Sequence, residues 1–315
     1  MDPLAYRLYS EALQNRWVSA KQRILVSLSG GADSTALTCL LSEWKTNLEL
    51  DLTLVHFNHQ IREASNQDQL FCEQLAHKLD LPIQCFSPPS PLPKKGLQQA
   101  ARQWRRSTLS DLAQQLGGQR IALGHHQDDV SETLLWRVLR GTSLFGLSGM
   151  QPLETPWFRP LLGLTKAQLT DYLNRIKQPW VEDSSNQEDG YLRNRIRNQL
   201  IPLMSELAGT PINPKLAKLA TESEDLRNIF HQSSPPGDWE QESLSFQSCA
   251  TLPRLFAQEK IHQFLLFHGC SEINHRQIED ILGLIVQGKG GWQVNLANQK
   301  IAEGRKGFVR VRSRA

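Results

Sequence analysis

Six consecutive residues, Ser29-Gly30-Gly31-Ala32-Asp33-Ser34, concentrate groups that could bind a phosphate. Two glycines let the backbone turn and approach a ligand with no Cβ in the way. Ser29 and Ser34 add hydroxyl donors, and the helical pattern that runs on from Ala32 would aim free N–H groups and a dipole at the turn. An anion is the natural guest. Asp33 departs from that logic, because a carboxylate beside a phosphate repels it unless a divalent cation lies between them. Alternatively, Asp33 and Ser34 cap the helix. Two familiar phosphate motifs are excluded: no lysine follows Gly31 before Lys45, and no third glycine stands at the dinucleotide-loop spacing.

A second concentration is His125-His126-Gln127-Asp128-Asp129-Val130-Ser131-Glu132. At about 100° per residue, His125, Asp129 and Glu132 fall on one helical face and Val130, Leu134 and Val138 roughly opposite, so one face is chemical and the other is core. Acidic residues in a first turn also answer the helix dipole. Arg102 and Arg106, four residues apart, share a face of a predicted helix, which reads as either a cationic wall or a solvated surface. Arg193, Arg195 and Arg197 alternate as in a strand, but the helical reading is preferred, with Arg193 and Arg197 on one face and Ile196 and Leu200 turned inward. Without acidic neighbours in that run, these arginines favour phosphate contacts. His56 and His59 flank Phe57-Asn58 at the end of an apolar run, where they could bind a metal, gate a site or simply end a strand.

Positioning these groups requires alternating strands and helices. Residues 24–26, 50–57, 81–86 and 120–124 read as strands, with helical patterns at 32–41, 66–80 and 96–116 between them. Such βαβ units give parallel strands, and ligands bind at their carboxyl ends. The expected fold is α/β, an open and mostly parallel Rossmann-like sheet with helices on both faces. An N-terminal helix is expected to pack beside the sheet through Tyr6, Tyr9, Leu13 and Trp17. Four prolines in residues 87–95 make that stretch an extended loop and a candidate flap. A threonine-capped helix over 165–176 precedes a polar loop at 180–186.

The expected domains are a catalytic domain over 1–208, a linker with a connecting helix over 209–240, and a small, mainly helical domain over 241–315. The last contains helices at 252–267 and 274–286, and an antiparallel pairing between 292–296 and 308–312. Arg305, Lys306, Arg310, Arg312 and Arg314, against Glu303 alone, either guard an edge strand or track a nucleic-acid backbone. The formal net charge of +3 permits a polyanionic partner without demanding one. A mean hydropathy of −0.42 and a polar N-terminal stretch predict a soluble, cytoplasmic protein with no membrane association. The five cysteines include no C-x-x-C pair, which predicts reduced, buried residues rather than a disulfide framework, a zinc site or a sulfur-transfer pair.

In sequence order, five blocks resemble the tRNA(Ile)-lysidine synthetases of the N-type ATP pyrophosphatase (PP-loop) superfamily. They are residues 29–34, His56-Phe57-Asn58-His59 through Arg62, Ala101-Arg102 through Arg106, residues 124–141 and residues 182–202. The family's usual aromatic after the paired arginines is Ser107 here. The resemblance implies a PP-loop fold and an ATP-dependent carbon–nitrogen ligase that joins free L-lysine to C2 of the wobble cytidine in the CAU anticodon of isoleucine tRNA. The reaction would pass through an adenylated tRNA, release AMP and pyrophosphate, and change the codon read from AUG to AUA. It further implies that Ser29, Gly30, Gly31, Ala32, Asp33 and Ser34 hold ATP, and that Asp33 with one or both of Asp128 and Asp129 holds Mg²⁺. His125, Arg102 and Arg106 would stabilise charge, Asp129 or Glu132 would serve as base, Arg193, Arg195 and Arg197 would contact tRNA, and a homodimer is possible. A tRNA thiolase would need a cysteine pair or an iron–sulfur cluster that these spacings do not offer, and amide-forming synthetases would need an ammonia source. A tRNA-binding protein with a vestigial nucleotide site would not need Asp33, His125, Asp128 and Asp129 together.

Overall fold

Asp2 caps the first helix, Pro3–Gln14 (α1), its carboxylate accepting from the Leu4 N–H at 2.8 Å. Then come Arg23–Ser27 (β1), Ala32–Leu48 (α2), Asp51–Phe57 (β2), Ser65–Lys78 (α3), Ile83–Phe86 (β3), Leu97–Gln115 (α4), Arg120–Ala122 (β4), Gln127–Leu139 (α5), Leu153–Glu154 (β5), Trp157–Phe158 (β6), Lys166–Arg175 (α6), Leu192–Arg195 (α7) and Ile201–Ala208 (α8). The computed structural model describes residues 1–60, 65–90, 93, 96–117, 120–182, 192–233, 243–270, 273–288, 290–297 and 299–313. Residues 91, 92, 94 and 95 of the proline-rich loop and 183–186 of the polar loop lie outside the described residues. The chain forms two units, Met1–Val130 with Met150–Gly209, and Ser131–Gly149 with Thr210–Ala315.

In the first unit the sheet runs β3-β2-β1-β4-β6-β5, with every neighbouring pair parallel except β5 and β6. β1 is central and must be apolar on both faces. Ile24 and Val26 join one core with α1, α2, α3 and α6, while Leu25 joins a second core with Leu109 and Ala113 of α4 and with Val55, Ile121 and Trp157. The expected doubly covered sheet is therefore the observed one. Because the chain runs outward from β1 to β3 and then returns to β4 on the other side, the carboxyl ends of β1 and β4 form a topological switch point.

The face of α1 that packs is corrected in part: Tyr9 and Trp17 lie against the core as expected, and Tyr6 and Leu13 do not. Ala5, Leu8 and Ala12 are buried, whereas Tyr6 is 62% exposed and Leu13 38% exposed. Two alanines let the helix backbone come close to α2, where the Trp44 indole N–H donates to the Ala5 carbonyl at 3.0 Å and Tyr9 meets the Trp44 ring edge-on. α6 begins with the expected Thr165 cap, completed into a capping box by Gln168. Four cysteines are buried, Cys85 is exposed, and all five are free thiols.

The second unit contains Asn213–Ser233 (α9), Ser243–Ser245 (β7), Phe246–Ala250 (α10), Arg254–Phe267 (α11), His275–Val286 (α12), Trp292–Asn295 (β8), Lys300–Arg305 (β9) and Phe308–Ser313 (β10). α9, read from the sequence as a connector, groups with this unit, as do residues 131–149. Its antiparallel sheet runs β7-β10-β9-β8, so residues 292–295 and 308–313 are separated by β9 rather than paired with each other. Ile261, Phe264, Ile281 and Val309 centre its core. Among the described residues no helix is long and apolar enough to cross a membrane.

The packing of α1 predicts opposite outcomes for two adjacent faces. Leu8→Ala should cost about 2–5 kcal/mol of stability and Leu13→Ala no more than about 0.5 kcal/mol, read as shifts in a urea unfolding curve.

Candidate active site

β1 ends in the glycine turn, and Gly30 adopts φ +88°, which an L side chain rarely tolerates. The turn is fastened from several directions. Ser34 Oγ accepts from the Ser29 N–H and donates to the Gly31 carbonyl, both at 3.1 Å. Thr35 Oγ1 donates to the Gly30 carbonyl at 3.1 Å, and the Val181 N–H donates to the same oxygen at 2.9 Å. Gly31 is the N-cap of the 17-residue α2 and supplies no side-chain cap. First-turn N–H groups therefore line the rim of the turn, as an anion site requires.

The segment after β4 is brought against this turn by Gly124. A Cβ there would lie 3.1 Å from Asp33 C and Ser34 N, so a side chain would push the two backbones apart by a few tenths of an ångström. α5 begins at Gln127, which leaves His125 and His126 ahead of the helix and outside its angular pattern. His126 starts the helix reciprocally: its Nδ1 accepts from the Asp128 N–H at 3.3 Å, and Asp129 Oδ2 accepts from the His126 N–H at 3.0 Å. With Nδ1 accepting, a neutral ring carries its proton on Nε2, which faces Asp33 Oδ2 at 3.5 Å and Asp129 Oδ2 at 3.7 Å. Asp128 Oδ2 lies 3.7 Å from Nδ1 and accepts from the Lys166 N–H at 3.2 Å.

His126 thus touches the carboxylates that sequence reasoning attributed to the neighbourhood of His125. Burial opposes its charged form, but the Asp33 hydrogen bond and the charges of Asp129, Asp33 and Asp128 outweigh burial and raise its pKa above the ordinary value. The opposite holds at His125. Burial, resisted by Asp129 and reinforced by Arg159, Arg102 and Arg193, lowers its imidazole to about 4, so it is neutral at pH 7. Burial also raises Asp129, yet His126, His125 and Arg193 hold it below the usual carboxylate range.

The other oxygen of Asp129 gathers the arginines. Arg193 Nη2 and Arg197 Nη2 lie 3.4 and 3.7 Å from Asp129 Oδ1. Residues 192–195 are α-helical and Ile196–Leu200 continue as a π-helical turn, with Ile196 buried. The preferred helical reading therefore holds for Arg193 and Arg197, while Arg195 is exposed on another face. From α4, Arg102 lies within electrostatic reach of Arg193, Arg106, Arg159 and Asp129. Arg106 sits 4.5 Å above the Trp157 ring, a cation–π contact.

Other sequence candidates take structural places. His56 is buried, with Nδ1 2.9 Å from the Leu28 carbonyl, and Asn58 donates to Asn66 and Gln69. His59 meets the edge of Trp104, and burial together with Arg105 and His56 lowers it to about 4. Glu132 is buried and belongs to the other unit. Sequence reasoning missed His126 and Arg159. The paired histidines were the signal for the first, because a residue just before a helix with Asp three positions on is a capping position.

The constellation is thus an anion-binding turn faced by three carboxylates, a histidine and several arginines. Residues 3–204 match a family model described as a PP-loop domain. A tRNA(Ile)-lysidine synthase of Thermosynechococcus vestitus is 32% identical over 92% of this chain and 86% of its own length. Another, from Thermotoga maritima, is 32% identical over 67% of this chain. The chain spans about half the length of that relative, 52%. Among solved structures, a U34-tRNA thiolase of Methanococcus maripaludis superposes with a TM-score of 0.59 at 14% identity, covering 71% of this chain and 78% of its own, a likeness of fold. On the PP-loop match and on identity along nearly its whole length, this chain belongs to the tRNA(Ile)-lysidine synthase family of PP-loop proteins.

Proposed function

We propose that this chain uses ATP to join free lysine to C2 of the wobble cytidine in the CAU anticodon of isoleucine tRNA, releasing pyrophosphate and AMP. The observation that supports the reading most directly is the His126 contact set, which gathers Asp33, Asp128 and Asp129 at the rim of the glycine turn. Carboxylates are placed beside a phosphate site only when cations are interleaved.

Mg²⁺ fits that donor set. Asp33 Oδ1 is buried without a hydrogen-bond partner, and Asp128 and Asp129 lie on the same imidazole. Among the described residues no group of three or more His, Cys, Asp or Glu forms a ready-made metal cage. Magnesium commonly takes one or two carboxylates and completes its shell with water and substrate phosphates. Asp33 with Asp128 or Asp129 would hold it, and when bound it would neutralise charge on the phosphates.

The protein groups then divide the work. The α2 N–H groups with Ser29 and Ser34 hold the ATP phosphates while the cytosine O2 attacks the α-phosphorus and pyrophosphate departs. Arg102, Arg106 and a neutral, hydrogen-bonding His125 balance the developing charge. The lysine amine next attacks C2 of the adenylated base, and AMP leaves. Asp129, engaged on both oxygens and held acidic, is a poor base and serves to position His126, Arg193 and Arg197. Exposed Arg195 is assigned to an RNA phosphate, and so is Arg310 on β10.

Incubation with radiolabelled lysine, ATP and Mg²⁺ should label unmodified isoleucine tRNA with a CAU anticodon and leave a methionine tRNA control unlabelled. Pyrophosphate and AMP without label would redirect the search to another nucleophile. Asp33→Ala should lower tRNA-dependent pyrophosphate release by about 10²-fold or more, and full turnover would remove the metal role. Arg195→Ala should weaken tRNA binding and reduce the magnitude of its log–log salt slope by about 1, because one phosphate contact fewer releases fewer counterions.

A further inference from the structure

Arg159 lies just beyond β6, at its carboxyl end. The Leu123 N–H donates to the Phe158 carbonyl at 2.9 Å, which sets Arg159 alongside Gly124 and His125 at the carboxyl edge of β4. Its side chain is 5% exposed. Nη1 donates to the Gln151 carbonyl at 3.0 Å, and Nη1 and Nη2 both reach Glu154 Oε2 at 3.2 Å. Two of the three nitrogens are thereby fixed, and the plane of the guanidinium with them.

The third nitrogen, Nε, is buried and has no hydrogen-bond partner. A buried donor left unpaired is costly, and native proteins place few of them outside sites that a ligand or water completes. This one stands in a region already rich in positive charge, within electrostatic reach of His125, Arg102 and Arg106. Its carboxylate partner Glu154 is 60% exposed and on the far end of the fork. Fixed cations gathered with one donor unspent match an anionic oxygen rather than a neutral group.

We infer that Arg159 is a further phosphate-binding residue of this site, its Nε–H serving a phosphate oxygen of either the nucleotide or the RNA strand. The inference rests on the proposed reading of the site as one that holds ATP and tRNA. Lysine in place of Arg159 keeps the charge and can still reach Glu154, but it lacks the fixed Nε–H.

Dissociation constants should be measured for α,β-methylene ATP with Mg²⁺ and, separately, for CAU-anticodon isoleucine tRNA, using the full chain, Arg159→Lys and Arg159→Gln, each with its melting temperature. Both variants should bind one of the two ligands about tenfold or more weakly while binding the other within about twofold, the retained ligand reporting an intact fold. Selective loss of the ATP analogue assigns the oxygen to the nucleotide, and selective loss of tRNA assigns it to the RNA backbone. Binding of both ligands within about twofold of wild type overturns the inference and leaves a buried water as the partner of Nε. Equal weakening of both with a lowered melting temperature also overturns it, in favour of a structural Glu154–Arg159 pair. A wild-type chain that binds neither ligand overturns the reading of the site itself.

Discussion

The Asp129 carboxylate is shared between an imidazole and two guanidiniums, and the site depends on that sharing. One oxygen accepts the His126 N–H and faces its ring, and the other faces Arg193 and Arg197. Three carboxylates beside one anion-binding turn would repel both one another and any phosphate. Interleaved cations cancel that repulsion, and because His126 and Asp129 are largely removed from water their orientation is fixed rather than averaged. The first turn of α5, the π-helical turn at Ile196–Leu200 and the Gly124 approach each serve to bring one partner into that arrangement.

The division of the two neighbouring histidines follows from the same balance. His126 contacts acids, and its charged form is favoured; His125 lies among arginines, and its charged form is suppressed. Identical side chains one residue apart thus carry opposite tendencies, set by which strand-end loop each one faces.

Much of this was readable in the chain. Gly30-Gly31 between an apolar run and a helical one marks a turn that faces free helix N–H groups, and Ile24-Leu25-Val26 announces a strand covered on both faces. The helical phase of Arg193 and Arg197 was legible from Ile196. What failed did so for physical reasons. Tyr6 and Leu13 stay exposed while Tyr9 packs, because the tight approach to Trp44 centres the contact of α1 on Ala5 and Ala12. The wheel drawn from His125 assumed a helix two residues too long, since a helix start depends on capping bonds rather than on periodicity. β9 was missed because Lys300, Glu303 and Arg305 leave only Ile301 and Ala302 as an apolar signal. Arg159 was not singled out because nothing local to Phe158-Arg159-Pro160 reveals that Glu154 will fix two of its nitrogens and leave the third bare.

The strand order also governs when the site can exist. β1 pairs with β2, its successor in the chain, but on its other side with β4, where Ile24 meets Arg120 roughly a hundred residues later. The glycine turn hangs from the first of these strands and the acidic segment from the last. On a ribosome adding about 5–20 residues per second, the turn emerges on the order of ten seconds before the segment that faces it. A ligand that needs both segments can stabilise only a form that contains both, so it rewards the finished sheet and offers no help to the nascent half.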